Sequence, residues 1–345
     1  MNRRIAMNVL LLAGMGAGLI TAAPAQAPDR VSLTPAVEAF IERLRERHGL
    51  DAERLRETFR QIKPQDGVIR AFTAPATSRP WHQFRSLFVT PLRIEGGVAF
   101  WRDHHAVLAQ ARAAYGVPEE VIVAILGVET IYGRHLGNFR VIDSLYTLGF
   151  HGPRRNEFFL SELEEFLLLS RENSLDPLQV KGSFAGAMGM PQFIASSYRR
   201  YAVDFNADGR IDLWNDVADV VGSVANYLKN HGWAQDQAVA VPARLLVNDV
   251  QHLVDLGVKP HLTVSEMKMR GVEALEALPP DLPAGVFTLE NAQGNEHWLS
   301  LNNFYVITRY NRSKNYAMAV HQLAVAIAQA RQGQPQAIET VATPK

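Results

Sequence analysis

Residues 118–133 read Pro118-Glu119-Glu120-Val121-Ile122-Val123-Ala124-Ile125-Leu126-Gly127-Val128-Glu129-Thr130-Ile131-Tyr132-Gly133. Proline fits the first turn of a helix and two carboxylates suit the positive end of its dipole, so a helix starts here. Its body is apolar on nearly every side, as a helix in a core must be. Glu129 is the lone charge between Val121 and Gly133. On a continuing helix it shares a face with Ile122, Ile125, Leu126 and Tyr132. Burial disfavours the ionised carboxyl, and a general acid working near neutrality needs that effect. The competing reading is a buried glutamate paired with a core arginine such as Arg134.

Outward from this helix the pattern is mostly helical. Upstream, Val37, Phe40, Ile41, Leu44, Leu55 and Phe59 recur at the 3.6 period. A Pro- and aromatic-rich passage (Pro75–Pro91) and a single helix over Glu95–Tyr115 follow. Downstream, helices are expected over Glu157–Arg171, Val217–His231 and Tyr316–Arg331. Between Ala238 and Phe304, short β-branched or apolar runs are broken by Pro, Gly and Asn, which predicts a small, mostly β module. The expected layout is a signal segment 1–27, a helical N-terminal domain 28–115, a core 116–235, a small β-domain 236–303, a C-terminal helix 304–332 and a disordered tail 333–345. The fold class is mainly α (α+β).

Composition narrows the function. The chain has 345 residues, 47% of them hydrophobic, with 35 basic and 35 acidic residues and no cysteine. That length suffices for about two domains with a sizeable core. Without cysteine there is no disulfide, thiolate metal site, thiol nucleophile or lipidated N-terminal cysteine. Zero net charge argues against a nucleic-acid binder. Arg3 and Arg4, an apolar stretch from Val9 to Ile20 and the Ala25-Gln26-Ala27 triplet read as a cleaved secretory signal. The apolar stretch is shorter than the ~20 residues that span a bilayer. Neither H-E-x-x-H nor G-x-S-x-G occurs.

Three further features carry chemistry. Asp204, Asn206, Asp208, Gly209, Ile211 and Asp212 reproduce the first nine positions of an EF-hand calcium loop. The loop departs at its end, where Asn215 stands in place of the bidentate glutamate and Asp216 or Asp219 is left to supply a carboxylate. A bound calcium here is expected to brace the fold. Second, the Lys181–Phe193 stretch has three glycines without Walker spacing, which leaves exposed backbone with Ser183 and Gln192 as polar side chains suited to a hydroxyl-rich ligand, or else a tight packing patch. Third, Arg154 and Arg155 form a basic pair, while Tyr310 and Asn311 make an aromatic and amide pair of the kind that lines sugar sites.

Together these motifs resemble the B-type lytic transglycosylases of bacterial cell-wall metabolism. The resemblance rests on V-E-T-I-Y-G-R from Val128, P-R-R-N-E-F-F from Pro153, K-G-S-F-A-G-A-M-G-M-P-Q-F from Lys181, Y-A-V-D-F-N-A-D-G-R-I-D-L-W from Tyr201, S-V-A-N-Y-L-K-N-H-G-W from Ser223 and T-R-Y-N from Thr308. It implies a lysozyme-like helical core with a helical N-terminal region and a small inserted β-domain. It also implies cleavage of the β-1,4 bond between N-acetylmuramic acid and N-acetylglucosamine with formation of a 1,6-anhydro end, Glu129 acting as acid and then base. Ser183, Gln192, Phe193, Tyr227, Tyr310 and Asn311 then resemble sugar contacts, and Arg154 and Arg155 resemble contacts to muropeptide carboxylates. Asp204, Asn206, Asp208, the carbonyl of Arg210, and Asp219 resemble calcium ligands. No organic cofactor is implied.

The expected partner is the peptidoglycan glycan strand, with other cell-wall enzymes as further candidates and no nucleic acid. The expected state is a periplasmic monomer without a lipid anchor. Two other classes compete. A lysozyme-type hydrolase needs a second carboxylate, for which Asp143 is the nearest candidate in the core segment. A non-catalytic, calcium-braced wall-binding protein needs no buried acid.

Overall fold

The computed structural model describes residues 33–73 and 79–333. The segment read as a cleaved leader and the tail beyond 333 lie outside them. In chain order come α1 (Pro35–His48), α2 (Ala52–Phe59), α3 (Asp66–Thr73), α4 (Trp81–Phe88), α5 (Pro91–Asp103), α6 (His105–Tyr115) and α7 (Glu119–Thr130). Next are β1 (Phe139–Arg140), α8 (Val141–His151), α9 (Asn156–Glu172), β2 (Lys181–Gly182), α10 (Ala195–Tyr201) and α11 (Val217–Asn230). The last third holds β3 (Ala240–Leu245), α12 (Gln251–Val254), β4 (Leu262–Thr263), α13 (Val264–Met269), β5 (Val272–Ala274), β6 (Pro283–Asn291), β7 (Gly294–Ser300), α14 (Asn302–Tyr310) and α15 (Lys314–Gln332). The protein is mainly helical with a five-stranded sheet and a two-stranded β1–β2 ladder, the class expected from the sequence. Among the described residues, no helix is long and apolar enough to cross a membrane.

The chain divides into two compact units. One takes in residues 79–132 and 228–333. Here α7 packs against α5 and α15, and α15 against α4 and α14. Its sheet is antiparallel, in the order β4-β6-β7-β3-β5. The β6–β7 hairpin turns through Ala292 and Gln293, with Asn291 paired to Gly294. Val241, Val286, Leu299, Met267 and Leu253 form a separate apolar cluster under the sheet. The single helix expected over Glu95–Tyr115 is two: the chain breaks at His104, whose ring centroid lies 4.6 Å from that of Phe100. The final helical stretch is likewise two helices. Ser313 caps the second by accepting from the Tyr316 N–H at 3.3 Å, which puts Tyr316 in its first turn.

The other unit takes in residues 33–73 and 133–227. Thr34 and Asp51 cap α1 and α2, and Gly49 ends α1 in the left-handed region. The α9 helix packs against α8 and α10. No α10 residue caps its own N-terminus. Instead Glu162 of α9 accepts from the Ser196 N–H at 3.0 Å and from the Ser196 hydroxyl at 2.7 Å. Burial pushes the Glu162 carboxyl up, opposed by those two bonds.

Candidate active site

Glu129 lies in the last turn of α7, which ends in an uncommon way. Ile131, Tyr132 and Gly133 take φ values of 51, 58 and 85° in succession. Glycine adopts this region freely. For isoleucine and tyrosine it costs about 1–2 kcal/mol each. The turn persists because its surroundings fix it. The N–H groups of Ile131 and Tyr132 both reach the Leu126 carbonyl. The Tyr132 hydroxyl donates to the Arg93 carbonyl at 2.6 Å, and Arg93 donates to the Gly127 carbonyl at 2.9 Å. A Cβ on Gly127 would come within 2.5 Å of the Tyr132 hydroxyl, so the glycine two residues before the acid makes room for this lock.

The half-buried Glu129 carboxyl accepts from the Tyr316 hydroxyl, Oε1 to Oη 2.6 Å. Burial, opposed in part by the Tyr316 hydroxyl, pushes the carboxyl up to about 7. The negative end of the α7 dipole acts in the same direction as burial. A carboxyl poised near 7 gives up and regains a proton at neutral pH. Tyr316 is buried to 1% exposure, and Tyr310 stacks on it at 6.4 Å with an interplanar angle of 10°. Asn311, 6% exposed, ends α14. Glu129, Tyr310, Asn311 and Tyr316 thus belong to one unit. From the sequence Tyr316 is only the head of the final helix, since nothing local ties residue 316 to residue 129.

The other expected sugar and carboxylate contacts belong to the second unit. Ser183 is 1% exposed, and its Oγ accepts from the N–H groups of Ala187 (3.0 Å) and Ala185 (3.3 Å), leaving its proton available to donate. Gln192, at φ 52°, donates from Nε2 to the carbonyls of Gly189 (2.9 Å) and Leu136 (3.2 Å). Its Oε1 has no hydrogen-bond partner among the described residues. Phe193 meets Tyr227 at 5.5 Å, and Tyr227 meets Tyr201 edge-on at 5.0 Å. The glycines allow close approach: a Cβ on Gly182 would come within 2.2 Å of the Ala187 carbonyl oxygen. Arg154 is exposed, its guanidinium 5.2 Å from the Phe72 ring centre. Arg155 lies 4.3 Å over Phe158 at φ 63°.

Asp143 is committed elsewhere. At 3% exposure its two oxygens hold the Arg140 guanidinium at 2.7 and 2.8 Å, and one also accepts from the Lys63 N–H at 3.0 Å. In the acidic loop the carboxylates cap backbone. Asp204 accepts from the N–H groups of Asp208 (3.0 Å) and Gly209 (2.7 Å), and Asn206 Oδ1 shares the Asp208 N–H. Asp219, 1% exposed, spans the loop by accepting from Phe205 and Asp212, both at 2.8 Å. Arg210 donates its N–H to Asp208, which leaves its carbonyl outside that bond. Among the described residues, no three His, Asp or Glu side chains are already gathered around a metal-sized centre.

Comparison with known proteins decides the family. The model of the transglycosylase SLT domain matches residues 32–325. The chain belongs to the transglycosylase SLT family. Membrane-bound lytic murein transglycosylase B of Escherichia coli K12 is 44% identical over 307 residues, covering 86% of this chain and 84% of that one. The crystal structure of soluble lytic transglycosylase SltB1 from Pseudomonas aeruginosa superimposes with a TM-score of 0.81 at 45% identity, covering 86% of this chain and all of that one. An Escherichia coli lytic transglycosylase solved in complex with calcium gives a TM-score of 0.78 at 43% identity, covering 86% and 94% of the two chains. This transglycosylase is therefore an enzyme.

Proposed function

We propose that this lytic transglycosylase cleaves the β-1,4 bond between N-acetylmuramic acid and N-acetylglucosamine in peptidoglycan, with Glu129 as the sole proton-transfer group. The carrying observation is a carboxyl held near pKa 7 beside a tyrosine hydroxyl. Protonated Glu129 gives its proton to the glycosidic oxygen as the bond to the muramyl anomeric carbon breaks. The substrate acetamido group stabilises the cationic centre. The resulting carboxylate then takes the proton of the muramyl 6-hydroxyl, whose oxygen closes on the anomeric carbon. Glu129 is protonated again, and no water is consumed. Tyr316 orients the carboxyl throughout. Ser183, Gln192, Phe193, Tyr227, Tyr310 and Asn311 contact the sugars, and Arg154 and Arg155 meet carboxylates of the stem.

A hydrolase would need a second carboxylate near the anomeric carbon. Asp143 has both oxygens on Arg140 and so does not serve. Mass spectrometry of soluble products from purified peptidoglycan tests the reading. The expected products are one water lighter than hydrolytic muropeptides and are absent with Glu129→Gln. Reducing-end products would overturn it.

The acidic loop fits calcium by its donors, which are hard oxygens only, with Asp204 and Asn206 already converging on one backbone N–H. Asp204, Asn206, Asp208 and the Arg210 carbonyl would hold the ion, and Asp219 would close the site. Bound there, calcium would brace the loop. Chelation is expected to lower the melting temperature and calcium to restore it; an unmoved transition would remove the metal from the account. The setting proposed for the enzyme is the periplasm, reached through the N-terminal signal, where it acts as a monomer on glycan strands.

A further inference from the structure

The five-stranded sheet carries an open cavity of about 710 Å³ that the reaction at Glu129 does not use, lined among others by Pro242, Arg244, Leu275, Asn295, Glu296 and Trp298. That volume lies within the roughly 300–1,000 Å³ usual for ligand sites. We propose that this groove is a second glycan-binding site, taking N-acetylated pyranose residues of the strand and holding the polymer to the enzyme outside the catalytic centre. The inference rests on the peptidoglycan reading above.

The lining has two chemistries side by side. Pro242 and Trp298 are direct cross-strand partners, and Leu275 bonds through its N–H to the Pro242 carbonyl, so an apolar strip runs across the groove floor. Arg244, Asn295 and Glu296 supply donors and acceptors along it. A pyranose offers the matching pair: C–H faces and an acetamide methyl for the aromatic strip, hydroxyls and an amide for the polar groups.

Charge argues against an anionic ligand. Arg244 is paired with Glu273, which Lys268 also holds at 3.0 Å. One Glu296 oxygen takes the Asn291 amide at 3.3 Å. His297, also in the lining, bonds to Thr288 at 3.0 Å, and burial holds it below its ordinary value. An anion would have to displace existing partners.

The groove lies where β3 and β7 part. Their ladder runs from Ala240 and Ser300 to Ala243 and His297, and Arg244, Leu245, Asn295 and Glu296 of the lining lie beyond it. The side chains along this opening supply the apolar and polar contacts.

The groove is also separate from the acid. Trp298 meets His321 edge-on at 6.3 Å on α15, the helix that carries Tyr316. Five residues on a helix are about 7.5 Å along the axis and about 140° around it, so Glu129 and Trp298 are served by different faces of α15.

The test uses the full chain. In a Glu129→Gln background, which binds without cutting, sedimentation with insoluble peptidoglycan is compared for Trp298→Ala and for the exposed Asn295→Ala. Trp298→Ala is expected to weaken binding about tenfold, the size of one lost aromatic contact, and Asn295→Ala less. In the active enzyme both variants should act normally on short soluble glycan and slowly on dilute insoluble wall. Asn295→Ala guards against a folding defect in Trp298→Ala. Unchanged binding and wall digestion in both variants would overturn the proposal, as would competition by free stem peptide but not by N-acetylglucosamine tetramer. A wild-type enzyme that releases no 1,6-anhydro products would remove the peptidoglycan reading itself, whereas normal wild-type lysis with unaffected variants removes the groove alone.

Discussion

Glu129 and Asp143 are both acidic residues with apolar neighbours on core helices, and they have opposite partners. Glu129 faces a neutral hydroxyl, which orients the carboxyl and leaves its proton labile. Asp143 faces a forked guanidinium at 2.7 and 2.8 Å, which engages both its oxygens in a structural pair. Burial alone therefore does not make a carboxyl catalytic. The neighbour decides whether the charge is held or exchanged.

Substitution should separate the two most widely in rate. Glu129→Gln removes both acid and base, and release of anhydro products should fall by about 10³-fold or more. Asp143→Asn should leave the turnover of folded enzyme within about threefold. A folded Asp143→Asn protein as inactive as Glu129→Gln would break the contrast and reopen the hydrolase. The next largest effect is on stability. Asp143→Asn removes the charge opposite Arg140, which keeps its bond to the Gln61 carbonyl at 2.9 Å, and is expected to cost about 1–3 kcal/mol in denaturant unfolding. A loss below half a kcal/mol would mean the pair is idle.

Much of this was legible in the sequence. The Pro118 start, the apolar run and the lone Glu129 mark a core helix and its acid without any tertiary information. The strand runs before Ser300 mark the sheet because β-branched or apolar runs and the turn residues between them are local signals. The oxygen spacing of the loop is visible in the same way. Three things were not. Tyr316 lies 187 residues from Glu129, and a single hydrogen bond at that separation leaves no local pattern. The left-handed Ile131 and Tyr132 defy the propensities of both residues, because the Arg93 carbonyl and Gly127 hold them there. The break at His104 occurs without proline or glycine, so the 3.6 period ran straight through it.

Tyr316 sharpens the comparison further. Its hydroxyl bonds best to the ionised carboxylate, so Tyr316→Phe should raise the Glu129 pKa above about 7. The alkaline limb of the pH–rate profile should move to higher pH, while the rate at its plateau drops about tenfold as orientation is lost. A merely structural tyrosine would lower the rate without moving the limb.

The smallest effect reports on the acid in the resting fold. Glu129 sits near 4.5 when unfolded and near 7 when folded, so the folded protein binds the proton more tightly. The stability this confers is complete below about pH 4.5 and is lost as pH rises through about 7, when the half-buried carboxyl must ionise. Full transfer of a gap of that size would be about 3 kcal/mol, and residual solvent contact reduces it to about 1–2 kcal/mol. Glutamine does not titrate. Glu129→Gln should therefore match the parent near pH 4 and exceed it by that amount at pH 8, read as a widening gap between two urea-unfolding curves. If Glu129→Gln tracks the parent across the whole range, the acid is ionised at rest, and the proton it delivers must be acquired only when substrate closes over it.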